Sequence, residues 1–221
     1  MGRDIAIDTP SGSIGAWRAD PEAAPLGALV VVQEIFGVNA HMRSVVDGYA
    51  AAGYVAVAPA FFDPVERGVE LGYDQDGFAK GRELVNALGI DAAVAIVDAG
   101  ARLLQGEGLK VGVVGFCWGG TVAFLSATRL ALPAVAYYGA RDVPFLDEPL
   151  RAPAMFHFGE RDTSISAQDV QLHREKLPRA EVFTYPAGHG FNRDVDPHVY
   201  DADSARLARK RTLDFFATAL E

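Results

Sequence analysis

The chain lacks most of what marks the specialised protein classes. It has one cysteine in 221 residues, so no internal disulfide can form. That excludes a disulfide-stapled scaffold and fits a reducing compartment. No apolar run approaches the ~20 residues that span a bilayer as a helix. Residues 1–10 carry no apolar stretch of the kind a secretory signal needs. Cytoplasmic residence is the expectation. Positive charge is also short: 20 Lys and Arg face 29 Asp and Glu, for a net charge of −9. A phosphate-binding face needs clustered cations, so neither nucleic acid nor an anionic membrane surface is an expected partner. No metal-ligand cluster is apparent, and no G-x-G-x-x-G spacing follows any apolar run, so neither metal nor cofactor is expected.

What is present is an ordinary globular composition, half hydrophobic and 22% charged, without repeats or linkers. It reads as a single domain over 1–221. Short β-branched runs alternate with longer helical stretches, the pattern of a mostly parallel sheet with helices on both faces, a three-layer α/β arrangement. Strands are expected at 5–7 and 12–18 (an antiparallel pair), 28–33, 54–59, 110–114, 134–138, 154–159 and 180–185. Helices are expected at 40–52, behind Asn39 as N-cap, and at 91–104, 119–130, 166–176 and 200–220. The stretch 61–88 is long and rich in glycine and charge, and only 77–88 reads as helical. Whether it forms a lid is left open by the pattern.

In such sheets ligands bind beyond the carboxyl ends of the strands. One strand there runs into Gly115-Phe116-Cys117-Trp118-Gly119-Gly120 and then a helix. This is G-x-C-x-G, the cysteine form of the nucleophile elbow. The nucleophile sits on a strained strand-to-helix turn, and the glycines two before and two after it avoid clashes with strand and helix. A helix N-terminus favours a thiolate, and the Trp118 N–H would face a developing oxyanion. The competing reading of a lone cysteine is a buried structural thiol.

An elbow nucleophile requires an acid and then a base further along the chain. Asp162 stands in Gly159-Glu160-Arg161-Asp162 and His189 in Gly188-His189-Gly190-Phe191, each just past an expected strand. The gaps, 45 and 27 residues, each leave room for a helix and a strand. His189 would take the thiol proton, and Asp162 would fix its tautomer. His157 falls mid-strand and His173 within a helix, settings with no such role.

With these positions in hand, the chain resembles the dienelactone hydrolase (carboxymethylenebutenolidase) family over nearly its whole length. The resemblance rests on Gln33-Glu34-Ile35-Phe36-Gly37, the cysteine elbow, Tyr137-Tyr138-Gly139, Gly159 to Asp162, and Gly188 to Phe191. It implies an α/β-hydrolase fold and opening of dienelactone to maleylacetate through a Cys117–Asp162–His189 triad. It further implies that Glu34 lies beside the thiol, that the Ile35 N–H is the second oxyanion donor, that Tyr138 lines the pocket, and that Arg193 binds a substrate carboxylate. Asp194 or Asp196 is a candidate partner for Arg193. The family's second carboxylate-binding residue has no clean counterpart: Lys80, Arg82 and Tyr73 are the candidates. The expected partner is a small, anionic lactone or ester, and the expected assembly a monomer or small homo-oligomer. Two rivals remain: a broad carboxylesterase or thioesterase with the same triad, and a non-catalytic small-molecule-binding or thiol-sensing protein.

Overall fold

A computed structural model describes residues 2–221. Two compact units divide within a single strand: one reaches Val113 and takes in Leu220, the other runs from Val114 to Ala219 and takes in Glu221.

In the N-terminal unit, β1 (Arg3–Thr9) and β2 (Gly12–Ala19) form an antiparallel hairpin, and β2 pairs antiparallel with β4 (Tyr54–Pro59). β4 in turn pairs parallel with β3 (Gly27–Val32). Every residue of β3 and β4 is buried, which is why both read as unbroken apolar runs rather than alternating ones. Helix α1 (Ala40–Ala51) starts at Asn39, whose side chain accepts the Met42 N–H at 3.2 Å. Helix α2 (Gln75–Leu88) begins two residues before the expected 77, because Asp74 caps it by accepting the Gly77 N–H at 2.8 Å. Helix α3 (Ile90–Gly106) buries Ala93, Val97, Gly100, Ala101 and Leu104, a single face of a 3.6-residue period.

The stretch 61–88 is anchored along its length. The Phe61 N–H donates to Gln33 Oε1 (3.3 Å), and the Leu71 N–H donates to the Phe36 carbonyl (2.9 Å). Gly37 and Glu70 form a β-bridge, and Arg43 grips Glu70 with both Nη atoms at 2.7 and 2.9 Å. Helix α2 lies so close to the 33–37 segment that a Cβ at Gly81 would overlap the Ile35 carbonyl oxygen. The stretch forms a wall of its unit, tied to that segment at several points.

In the C-terminal unit the end of β5 (Val111–Phe116), β6 (Ala134–Tyr137), β7 (Ala154–Gly159) and β8 (Glu181–Tyr185) lie side by side in that order. β6, β7 and β8 pair in parallel. The single helix expected over 119–130 is instead α4 (Trp118–Leu125), buried at every residue, followed by a wider π-helical turn over Ser126–Leu130. The Ser126 hydroxyl donates back to the Val122 carbonyl (2.9 Å), competing with the α-helical ladder where it changes pitch. A 3₁₀ turn, Val143–Phe145, was not legible in the pattern. Helix α5 (Ala167–Lys176) opens with a capping box between Ser166 and Asp169, and α6 (Ala202–Ala219) closes the chain. Among the described residues no single helix is long and apolar enough to cross a membrane.

Candidate active site

The site is built in the C-terminal unit from three loops that follow three strands. Cys117 sits between β5 and α4 with φ 54° and ψ −121°, a conformation that costs a non-glycine residue about 1–3 kcal/mol. The surroundings hold it there. Its N–H donates to the Tyr137 carbonyl at 3.0 Å, and its carbonyl accepts the Gly120 N–H at 2.9 Å. A Cβ at Gly115 would overlap the Gly119 carbonyl, so the strand and helix can meet only because Gly115 lacks one. On the helix side, Gly120 presses against β6: a Cβ there would stand 2.7 Å from the Tyr137 carbonyl.

His189, past β8, reaches both neighbours. Its Nε2 lies 3.2 Å from Cys117 Sγ, and its Nδ1 lies 2.7 Å from Asp162 Oδ2. Asp162, past β7, has a side chain with no exposure and also accepts the Ser164 N–H at 2.7 Å through Oδ1. A fully desolvated carboxylate needs such partners. Burial of His189 opposes its charge, but the hydrogen bonds to Asp162 and then Cys117 outweigh it and raise the imidazole to about 10. Cys117 is half-buried and the His189 side chain retains 24% exposure, so the pair is not sealed from solvent.

Tyr138 was expected as the last residue of its strand. β6 stops at Tyr137 instead, and Tyr138 turns to φ 41° while its N–H donates to the His157 carbonyl at 2.8 Å. The turn sets its ring edge-on to His189, with centroids 5.1 Å apart, and edge-on to Phe191 at 5.3 Å.

The family model of the dienelactone hydrolases matches residues 14–220. The chain belongs to this family. A carboxymethylenebutenolidase of Pseudomonas putida is 35% identical over 229 residues, covering 96% of this chain and 95% of that protein. A crystal structure from Klebsiella pneumoniae subsp. pneumoniae MGH 78578, described as a candidate dienelactone hydrolase, matches with a TM-score of 0.87 at 30% identity, covering 98% of each chain. The dienelactone hydrolase-like promiscuous phosphotriesterase P91 from metagenomic libraries matches at 0.78 with 19% identity, covering 100% of this chain and 99% of its own, a likeness of fold alone. The fold is accordingly that of the α/β-hydrolases, and the chain is a carboxylic ester hydrolase.

The other residues to which the dienelactone hydrolase family points are distributed as follows. Glu34 and Ile35 follow β3 in the N-terminal unit, and Glu34 is 2% exposed. The neighbouring Gln33 donates through Nε2 to the Glu34 carbonyl at 3.2 Å, which helps to fix that turn. Arg193 is buried beside the His189 turn: a Cβ at Gly190 would stand 3.3 Å from its Nη2. One of its two candidate partners, Asp196, forms an ion pair with it at 3.3 Å. Lys80 bridges Glu66 and Glu83 at 2.9 and 3.1 Å, Arg82 is exposed, and Tyr73 packs edge-on to Phe36 while accepting from Asn39 at 3.0 Å. Among the described residues no cluster of three His, Cys, Asp or Glu could hold a metal ion.

One polar cluster escaped the sequence reading. Thr121, Asp142 and His173 meet in the interior of the C-terminal unit although 21 and 31 positions separate Asp142 from its partners. Nothing in the Ala140-Arg141-Asp142-Val143 context distinguishes Asp142 from a turn residue.

Proposed function

We propose that this protein opens a small, acidic enol lactone such as dienelactone, giving maleylacetate, with Cys117 as nucleophile, His189 as proton carrier and Asp162 as its orienter. One observation carries the reading. A sulfur on a strained elbow, an imidazole 3.2 Å away and a buried carboxylate 2.7 Å beyond form one hydrogen-bonded line. With His189 holding its proton up to about pH 10, Nε2–H faces the sulfur as a donor at neutral pH. The sulfur attacks the lactone carbonyl as a thiolate, forming a C–S bond. The carbonyl oxygen becomes an oxyanion, held by the Trp118 N–H at the start of α4. Collapse breaks the ring C–O bond, and Nε2–H protonates the departing enolate. Water then gives a proton to His189 and its oxygen to the thioester carbon. Collapse of the second tetrahedral intermediate releases the carboxylic acid and returns the sulfur.

In this reading Tyr138 walls the pocket. Arg193 pairs with the free carboxylate of the substrate, for which a guanidinium fork is matched in shape. The test is turnover of cis- and trans-dienelactone beside p-nitrophenyl acetate, by wild type and by Cys117→Ala. Native-rate turnover by Cys117→Ala would reject the nucleophile.

The Arg193–Asp196 ion pair favours a second reading, a broad carboxylesterase, because the arginine's charge is already partly answered within the protein. Arg193→Ala separates the two. A loss confined to acidic lactones supports a carboxylate reader, whereas an equal loss on neutral aryl esters supports the broad esterase.

A further inference from the structure

We propose that Thr121, Asp142 and His173 form a positioning network that holds the elbow helix and the Tyr138 loop in register with His189. This rests on the reading of Cys117 as nucleophile and extends it to residues that touch no substrate.

Thr121 lies on α4, four residues after Cys117, and its hydroxyl donates to Asp142 Oδ1 at 2.5 Å. Thr121 Oγ1 in turn accepts the Arg141 N–H at 3.2 Å. Asp142 Oδ2 meets His173 Nε2 at 3.1 Å, and His173 Nδ1 lies 2.7 Å from the Asp169 carbonyl. A carbonyl only accepts, so Nδ1 carries a hydrogen, and one further proton joins Nε2 to the Asp142 carboxyl. All three side chains are enclosed, at 0%, 1% and 1% residue exposure. Edge-on rings of Phe156 and Phe158, 5.0 and 4.8 Å from the His173 imidazole, fix its plane.

The placement of the network gives it a function beyond stability. It joins the nucleophile helix to the 138–142 loop, one end of which packs against His189. At one end Tyr138, at φ 41°, packs on the His189 ring, and the Tyr137 carbonyl receives the Cys117 N–H. At the other end Asp142 holds Thr121. Gly139 approaches so closely that a Cβ on it would stand 2.7 Å from both Asp142 carboxylate oxygens. Elbow and loop are thus clamped by backbone at Cys117 and by side chains one helical turn later. Loosening the second clamp lets α4 shift relative to Tyr138 and changes the 3.2 Å separation of sulfur and imidazole.

The test compares Thr121→Val, which removes the hydroxyl at nearly constant volume, with Thr121→Ser, which keeps it. Three quantities are read: kcat and KM on trans-dienelactone and p-nitrophenyl acetate, the thermal midpoint, and the rate at which iodoacetamide alkylates Cys117 at pH 7. Alkylation forms no oxyanion and reports only the sulfur and its imidazole. In Thr121→Val, kcat is expected to fall about tenfold or more, as sub-ångström to ångström misplacement does. KM should stay within about twofold, and alkylation should slow in parallel. Thr121→Ser should restore both rates. Native kcat and alkylation per folded molecule in Thr121→Val, whatever its thermal midpoint, would overturn the proposal, as would equal impairment of the serine variant. If Thr121→Val does not fold, His173→Gln, which removes only the far anchor, must show the same paired loss. Turnover that survives Cys117→Ala would instead defeat the nucleophile reading, so the two failures are told apart.

Discussion

Two histidines of the C-terminal unit, His189 at the strand ends and His157 in the middle of β7, begin from the same side chain and are driven in opposite directions. His157 is fully enclosed, and burial, with a smaller push from the Arg211 charge, lowers it to about 3. It is therefore neutral and purely a hydrogen-bonding element: Nδ1 accepts from the Tyr185 hydroxyl (2.8 Å) and Nε2–H donates to Thr212 Oγ1 (3.0 Å). The Thr212 hydroxyl passes its own hydrogen to the Ala208 carbonyl (2.9 Å), and Arg211 supplies a hydrogen bond to the Tyr185 oxygen (3.0 Å). With the Tyr137 hydroxyl of β6 2.7 Å from Thr212 Oγ1, strands β6, β7 and β8 are stapled to α6. His189 is also largely buried, but a carboxylate lies on one side of it and a sulfur on the other, and it rises to about 10. Burial alone makes an imidazole inert, and burial beside a desolvated carboxylate makes it a proton carrier.

The largest expected effect comes from erasing the contrast. Asp162→Asn keeps the shape of the site but leaves His189, like His157, without a carboxylate beside it. kcat should fall on the order of 10³–10⁴-fold, the scale seen when a triad carboxylate is neutralised. Steady-state kinetics read this, and the His189 ring protons in NMR should titrate well below 10. Next, His157→Leu should cost about 2–4 kcal/mol, because the Tyr185 and Thr212 hydroxyls lose a buried partner. Denaturant unfolding measures the loss, while kcat per folded molecule should hold.

The two imidazoles also make opposite contributions to the pH dependence of stability. His189 is raised when folded, so its contribution is complete below its unfolded value near 6.5 and is lost as pH climbs through about 10. His157 is depressed when folded, so its contribution is complete above about 6.5 and is lost as pH drops toward about 3. Unfolding midpoints across pH should therefore lose alkaline sensitivity in Asp162→Asn and acid sensitivity in His157→Leu. The smallest effect is that of Arg211→Ala. It removes a guanidinium 4.0 Å from the Phe183 ring centroid along with the hydrogen bond to Tyr185, and should cost about 1 kcal/mol.

Much of the site was legible because it is encoded locally. The elbow needs Gly115 beside a particular backbone carbonyl, and the acid and base must each follow a strand end, so residue type and order suffice to nominate Cys117, Asp162 and His189. Strand 54–59 was read to the residue because burial on both faces leaves an unbroken apolar run. Where the reading slipped, a side chain had competed with the periodic pattern: Asp74 starts α2 early, and the Ser126 hydroxyl bonds back to Val122 where α4 gives way to a π turn.

Order and type of Cys117, Asp162 and His189 were thus set by the chain alone, since the elbow and the turns after the strands are local backbone geometries that only certain residues tolerate. Tertiary packing decided the rest: which histidine is charged, where Tyr138 turns, and which aspartate supports the elbow from behind. Those outcomes depend on distances between residues tens of positions apart and on how much water remains between them, quantities that no spacing rule contains.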